Sequence, residues 1–194
     1  MDERLELLWA RQQIADKLFS YCRACDRLDE ELMASLFWPD ATAHHGPYRG
    51  SAEDFWRGAL SFLGRIEAAL HYASNVLIRV EGDFAHQEAL FTAWHRVAAG
   101  PIPGGEVLAE SAFSRHDESR AEDAVFCGRY INWFERRDGE WRIKRHICFT
   151  EWEYWMPASE RSPAMARTLA RRDRSDPVYW LPGGPDPLDT ENRE

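Results

Sequence analysis

The sequence predicts an α+β fold in which a strongly curved antiparallel sheet wraps three N-terminal helices as a cone. Three observations predict it. Apolar residues recur every three to four positions through three segments of the first third, the period of amphipathic helices. From Leu70 onward the period changes to two, and apolar residues alternate through long runs on either side of turn residues. Two of these runs meet at Asp138-Gly139, a pair favoured where both central residues of a hairpin turn need positive φ. Helices followed by a run of hairpins place the helices together on one face of the sheet.

The first helix runs from Glu3 to about Cys25, with Leu5, Leu8, Trp9, Ile14, Leu18, Tyr21, Cys22 and Cys25 at helical spacing. A second helix follows Asp29, turns Leu32, Met33, Leu36 and Phe37 inward, and is stopped by Pro39, because proline cannot continue a helical hydrogen-bond ladder. Ala41 to His45 reads as a short strand, Gly46-Pro47 as a turn and Tyr48-Arg49 as the start of a second strand. Ser51 has N-cap chemistry, with Glu53 and Asp54 against the helix dipole. The third helix it opens buries Phe55, Trp56, Leu60, Leu63 and Ile66.

Leu70 to Glu81 and Phe84 to Val97 flank Gly82-Asp83 as one long hairpin. Ala98 to Glu122, with Gly100, Pro101, Pro103, Gly104 and Gly105, is a long connection suited to lid a site. In the last hairpin one register face carries Val125, Cys127, Arg129, Ile131 and Trp133; the other carries Phe126, Gly128, Tyr130, Asn132 and Phe134. Both faces are largely apolar, so both need cover: helices on one and a neighbouring subunit on the other. A homodimer or homotrimer is expected.

Residues 1–155 make one domain and 156–194 a Pro/Arg-rich arm. The arm holds Arg171, Arg172 and Arg174 with six prolines, and cannot build its own core. Its Val178-Tyr179-Trp180-Leu181 run is too apolar to float and is expected to pack on its own domain or a neighbour, with the end beyond Pro182 frayed. A net charge of −9 argues against a nucleic-acid partner, which wants clustered positive charge. No apolar run approaches the roughly 18 residues of a membrane span, and the opening MDERLELLWARQQ is charged where a secretion signal is greasy. A cytoplasmic protein with reduced cysteines is expected. Cys22 and Cys25 form a C-x-x-C with no second pair, and His86, His95, His116 and His146 lack ligand spacing, so no metal is implied. Aromatic residues make up 13% of the chain, which suits a pocket for flat ligands as well as ordinary core packing.

Tyr21-Cys-Arg-Ala-Cys-Asp26, His71-Tyr-Ala-Ser-Asn75, Gly128-Arg129-Tyr130 and the Arg-Asp-Gly-Glu-Trp-Arg hairpin resemble the SnoaL-like branch of the nuclear transport factor 2 (NTF2-like) superfamily. The resemblance runs from about Leu5 to Phe149 and implies a cone with an interior pocket. Within the branch the chain looks like the cofactor-independent dehydratases, scytalone dehydratase and bile-acid dehydratase, and more loosely like lindane dehydrochlorinase. By that resemblance His71 is the base, Asp26 orients it, and Tyr21 and Arg129 steady the departing or developing oxygen charge. Tyr21 stands where the dehydrochlorinase has a lysine, which favours an oxygen leaving group over chloride. His95 corresponds to the second catalytic histidine of scytalone dehydratase. The implied substrate is a hydroxylated aromatic or alicyclic small molecule that loses water or formaldehyde, with no cofactor. The superfamily also includes assembly subunits, such as the β-subunits of ring-hydroxylating dioxygenases, and ketosteroid isomerase.

The residue chemistry is compatible with that implication. A neutral imidazole is a competent base near neutral pH, and a carboxylate on its other nitrogen fixes the tautomer. Taken singly, His71 also reads as a core histidine and Asp26 as a helix-end carboxylate beside Arg27. Side chains of adjacent strand residues point to opposite faces, so of His44 and His45 only one reaches the pocket, and His45 is assigned to it. Tyr48 and Trp56 are pocket walls or core. Asn75 shares the strand parity of His71 and meets either a ligand or backbone. Arg129, among apolar neighbours, needs a polar ligand or a structural carboxylate.

Overall fold

The computed structural model describes residues 2–102, 113–162 and 170–180. The chain divides into two compact units, Met1–Ser159 and Glu160–Glu194. In the first, α1 (Glu3–Arg27), α2 (Glu30–Leu36), β1 (Phe37–His45), β2 (Tyr48–Ser51) and α3 (Ala52–Leu63) precede β3 (Ala68–Glu81), β4 (Phe84–Val97), β5 (Glu122–Arg137) and β6 (Glu140–Pro157). The strands form one open sheet in the order β2-β1-β6-β5-β4-β3. Every pairing is antiparallel except β1 against β6, which run parallel. The sheet is therefore mixed, because the last strand, β6, comes back alongside β1 in the same direction. Among the described residues no helix is long and apolar enough to cross a membrane.

Local chemistry sets the helix ends. Asp2 caps α1, and Leu28 closes it in the left-handed region at φ 54, its N–H donating to Ala24 O. Asp29 then accepts from Leu32 N–H to open α2, and Ser51 accepts from Asp54 N–H to open α3. The buried stripe of α1 begins only at Ala10 and continues through Ile14, Leu18, Tyr21, Cys22 and Cys25. Leu5, Leu8 and Trp9, expected inside, are exposed; periodicity marks an apolar face but not how far along the helix a packing layer extends. Phe37, expected in α2, already belongs to β1, as does Pro39. The register of β1 on β6 slips between Phe37 and Thr42, and such an irregularity tolerates a residue with no N–H to give.

Bulges decide which side chains face the helices. In β3 the register slips between Ser74 and Leu77, with Asn75 at φ 51, so the inward set changes from Ala69, His71 and Ala73 to Val76, Ile78 and Val80. In β6 two slips against β5 change it from Trp141 and Ile143 to His146, Cys148 and Thr150, and then to Glu153 and Trp155. The turn joining β5 to β6 has the expected form, Asp138 at φ 51 and Gly139 at φ 83.

The core lies between α1–α3 and the concave face, with Ile14, Leu18, Met33, Leu36, Phe55, Phe134, Trp141 and Ile143 almost wholly enclosed. Each such side chain contributes about 1.5–3 kcal/mol by leaving water. One polar chain crosses it: Gln87 donates to Ile14 O (3.1 Å), Asn132 donates to Gln87 Oε1 (2.9 Å), and His146 Nδ1–H donates to Asn132 Oδ1 (2.8 Å). On β5 the even residues from Phe126 to Phe134 are buried and the odd ones half-buried or exposed, so the expected two-sided strand has its greasier face inside.

Of the expected connection Ala98–Glu122, residues 103–112 lie outside the described residues. Its last part is tied down: His116 Nε2 meets Gly100 O (3.2 Å) and Nδ1 meets Glu122 Oε2 (3.0 Å), which also accepts from Asp117 N–H (2.8 Å). In the second unit, Asp176 accepts from Val178 and Arg171 N–H groups and opens a short 3-10 turn, Pro177–Tyr179, with the Arg174 guanidinium 4.7 Å from the Tyr179 ring. Leu181, the last residue of the expected packing run, and the expected frayed end beyond Pro182 lie outside the described residues.

Candidate active site

A cavity of about 340 Å³ opens between the helices and the concave face. Tyr21 and Cys25 reach it from α1, Phe55, Phe62 and Leu63 from α3, and His71, Phe91, His95, Phe126 and Tyr130 from the sheet. Phe113 closes a further side, tilted against Phe62 and Phe126 and edge-on to His95 and Trp155 at ring separations of 4.6–5.5 Å. Gly46, Pro47, Thr150 and Glu153 line it while also reaching solvent, and so mark the mouth.

Asp26, on the last turn of α1, is buried against His71 of β3. Its Oδ1 lies 2.7 Å from His71 Nδ1, and its two oxygens also accept the His71 backbone N–H at 3.0 and 3.1 Å. A carboxylate only accepts, so Nδ1 carries the proton and Nε2 keeps a lone pair. The His95 ring stands edge-on to His71, centroids 5.3 Å apart. His71 is thus an imidazole held by two constraints, one on its ring and one on its backbone.

Three further lining groups, Tyr21, Tyr130 and His45, are neutral by burial. Desolvation, reinforced by neighbouring Cys25, pushes the Tyr21 phenol well above its usual value; burial and then Tyr21 do the same to Tyr130. The two rings meet edge-on at 5.5 Å, so the pocket holds two protonated phenols. Burial, then His71 and His44, pull His45 down to about 4, leaving it an uncharged imidazole stacked on Phe55 at 5.0 Å.

His71, Asp26 and Tyr21 thus come together, joined by His95 and His45. Tyr48 and Trp56 do not line the cavity. Tyr48 donates to Ser51 O (2.8 Å) and leans on Phe55, while Trp56 is buried beneath the Arg57 guanidinium. Asn75 is exposed, because the bulge it occupies breaks the parity that linked it to His71. Arg129 is on the opposite face of the sheet from the cavity, with Glu151 at 2.6 Å and Glu88 at 3.4 Å; its expected role at the reacting oxygen does not hold, and its charge is met by carboxylates on the neighbouring strands. Tyr130 was within reach of sequence reasoning, since alternation puts it on the face Arg129 does not share. Thr150 and Glu153 were not, because two bulges set their direction. Among the described residues no group of three or more ligand-type side chains is arranged to hold a metal ion.

The SnoaL-like domain profile matches residues 6–146. No curated protein sequence matches the chain. Solved structures of similar fold include a hexachlorocyclohexane dehydrochlorinase, LinA type 2, at 18% identity and TM-score 0.62, covering 82% of this chain and 97% of that one. A candidate scytalone dehydratase from Novosphingobium aromaticivorans follows at 20% and 0.57, covering 80% and 91%. A candidate aromatic ring hydroxylase from the same organism stands at 18% and 0.53, covering 76% and 92%. Likenesses at such identity concern the fold alone.

Proposed function

The chain belongs to the SnoaL-like domain family, and we propose that it is a cofactor-independent lyase that eliminates water, or formaldehyde, from a hydroxylated aromatic or alicyclic compound. The observation that carries this reading is the Asp26–His71 pair opening on an aromatic cavity. For loss of formaldehyde, His71 Nε2 takes the hydroxyl proton of a CH2OH group, the C–C bond breaks, and its electron pair stays on the ring-side carbon, which is then protonated. For loss of water, His71 Nε2 takes a proton from the carbon beside the one bearing the hydroxyl. The C–H electron pair becomes the new C=C bond, the C–O bond breaks, and the departing oxygen leaves as water after gaining a proton. Asp26 holds the imidazole and stabilises the imidazolium. Tyr21 and Tyr130, kept protonated by burial, are the donors available to the departing oxygen. An apolar cavity strengthens each of these charge interactions.

The same groups also suit a double-bond isomerase, in which His71 returns the proton to another carbon and the oxygen stays; the two protonated phenols are the observation that favours it. A panel of hydroxylated aromatic and alicyclic compounds, followed by conjugated C=C absorbance, formaldehyde release and retention of oxygen in the product, separates these outcomes. With an active substrate, His71→Ala is expected to lose about 10²–10⁴ in turnover, the usual contribution of a positioned base. Wild-type turnover by His71→Ala would overturn the reading.

A further inference from the structure

Among the described residues the cavity has no cation on its wall. Its lining residues include no Lys or Arg; Glu153 is the only carboxylate among them, and Asp26 stands directly behind His71. An anion entering this space would leave water without a counter-ion and would meet two carboxylates already in place. Burial of an unpaired carboxylate is among the costliest events in protein chemistry.

One guanidinium does stand beside the mouth. Arg115 follows the wall residue Phe113 by two positions, and its Nη1 lies 3.1 Å from Glu153 Oε1. Arg115 is largely exposed, whereas Glu153 is nearer the cavity. Glu153 therefore does two things at once: it presents a negative charge to an incoming ligand, and it occupies the cation that a ligand carboxylate would otherwise use.

We propose that Glu153 is a specificity-determining residue that makes this pocket accept uncharged hydroxylated ring compounds and refuse their carboxylated counterparts. The inference rests on the reading of the cavity as a substrate site but not on the reaction performed there. By this account the substrate arrives without a free acid group, so the reaction that supplies it leaves any carboxyl absent, reduced or esterified.

The test is a binding experiment without turnover, so its outcome is independent of whether His71 proves to be a base. Full-length protein at pH 7.5 is titrated with 4-biphenylmethanol and with 4-biphenylcarboxylate, two probes of one ring frame. Binding is read by calorimetry and by displacement of an uncharged solvatochromic dye. Wild type is expected to bind the alcohol at least tenfold tighter than the carboxylate. Glu153→Gln is expected to narrow that ratio severalfold by tightening the carboxylate, and Glu153→Gln with Arg115→Ala to restore it. Both positions reach solvent and the variants are expected to fold; circular dichroism and alcohol binding report this within the same experiment. Equal binding of the two probes by wild type, an unchanged ratio in Glu153→Gln, or binding of neither probe would overturn the proposal.

Discussion

The Asp26 carboxylate holds His71 three times over, through both of its oxygens on the backbone N–H and through Oδ1 on the ring. One side chain at the end of α1 thus fixes the path of β3 as well as the tautomer of the imidazole. Asp26→Asn retains an acceptor but loses the charge that stabilises an imidazolium, so turnover is expected to fall by about 10²-fold or more with a small change in melting temperature. Asp26→Ala leaves a part-buried N–H unpaired and is expected to cost a further ~1–3 kcal/mol in stability. Denaturant unfolding beside kinetics separates the two effects.

Gly128 faces Phe149 across a bulge. A Cβ there would lie 1.9 Å from Phe149 O and 3.0 Å from the Phe91 ring, so the strands would have to part. Gly128→Ala is expected to destabilise the fold by about 1–3 kcal/mol, as overpacking of a close contact does. Because Phe91 lines the cavity and stacks on Tyr130 at 4.4 Å, ligand affinity is expected to fall with stability. Urea unfolding and a titration with any bound ring compound check both.

Acid should loosen the protein in a defined window. His45 and His146 are pulled from 6.5 down to about 4 and about 3 by burial. The unfolded chain therefore takes up protons first as pH drops below about 6.5, and the stability these neutral rings contribute is full above that pH and is lost toward 4 and 3. His146→Gln keeps a donor for Asn132 and is expected to flatten the curve. Melting temperatures between pH 7.5 and 4 are the measurement, and a flat wild-type curve would contradict this account.

The outer face of the sheet carries Tyr72, Leu77, Leu90, Trp133, Phe149, Trp152 and Tyr154, all substantially exposed. These side chains surround the Arg129, Glu88 and Glu151 cluster on the same face, and so many exposed aromatic and aliphatic groups are expected to be covered by copies of the same chain. Light scattering at micromolar concentration is expected to give a dimer or trimer of the 22.5 kDa chain, and Trp152→Glu to shift it toward monomer.

Much of this was legible in the chain itself. Periods of 3.6 and 2, Asp29 and Ser51 at helix starts, and Asp138-Gly139 at the hairpin turn are local signals that act over a few residues, and they located the helices and hairpins. Alternation on β5 separated Tyr130 from Arg129, and the Tyr21–Asp26 and His71 segments pointed to the pair now seen in contact. Three matters were decided only by tertiary structure. The Asp26–His71 contact joins residues 45 positions apart, and no local period encodes such a meeting. The bulges at Asn75 and along β6 reverse side-chain parity, which removed Asn75 from the cavity and turned Thr150 and Glu153 into it. Arg129 found two carboxylates, Glu88 and Glu151, on flanking strands, and a charge is satisfied by whichever partners the sheet register brings alongside it.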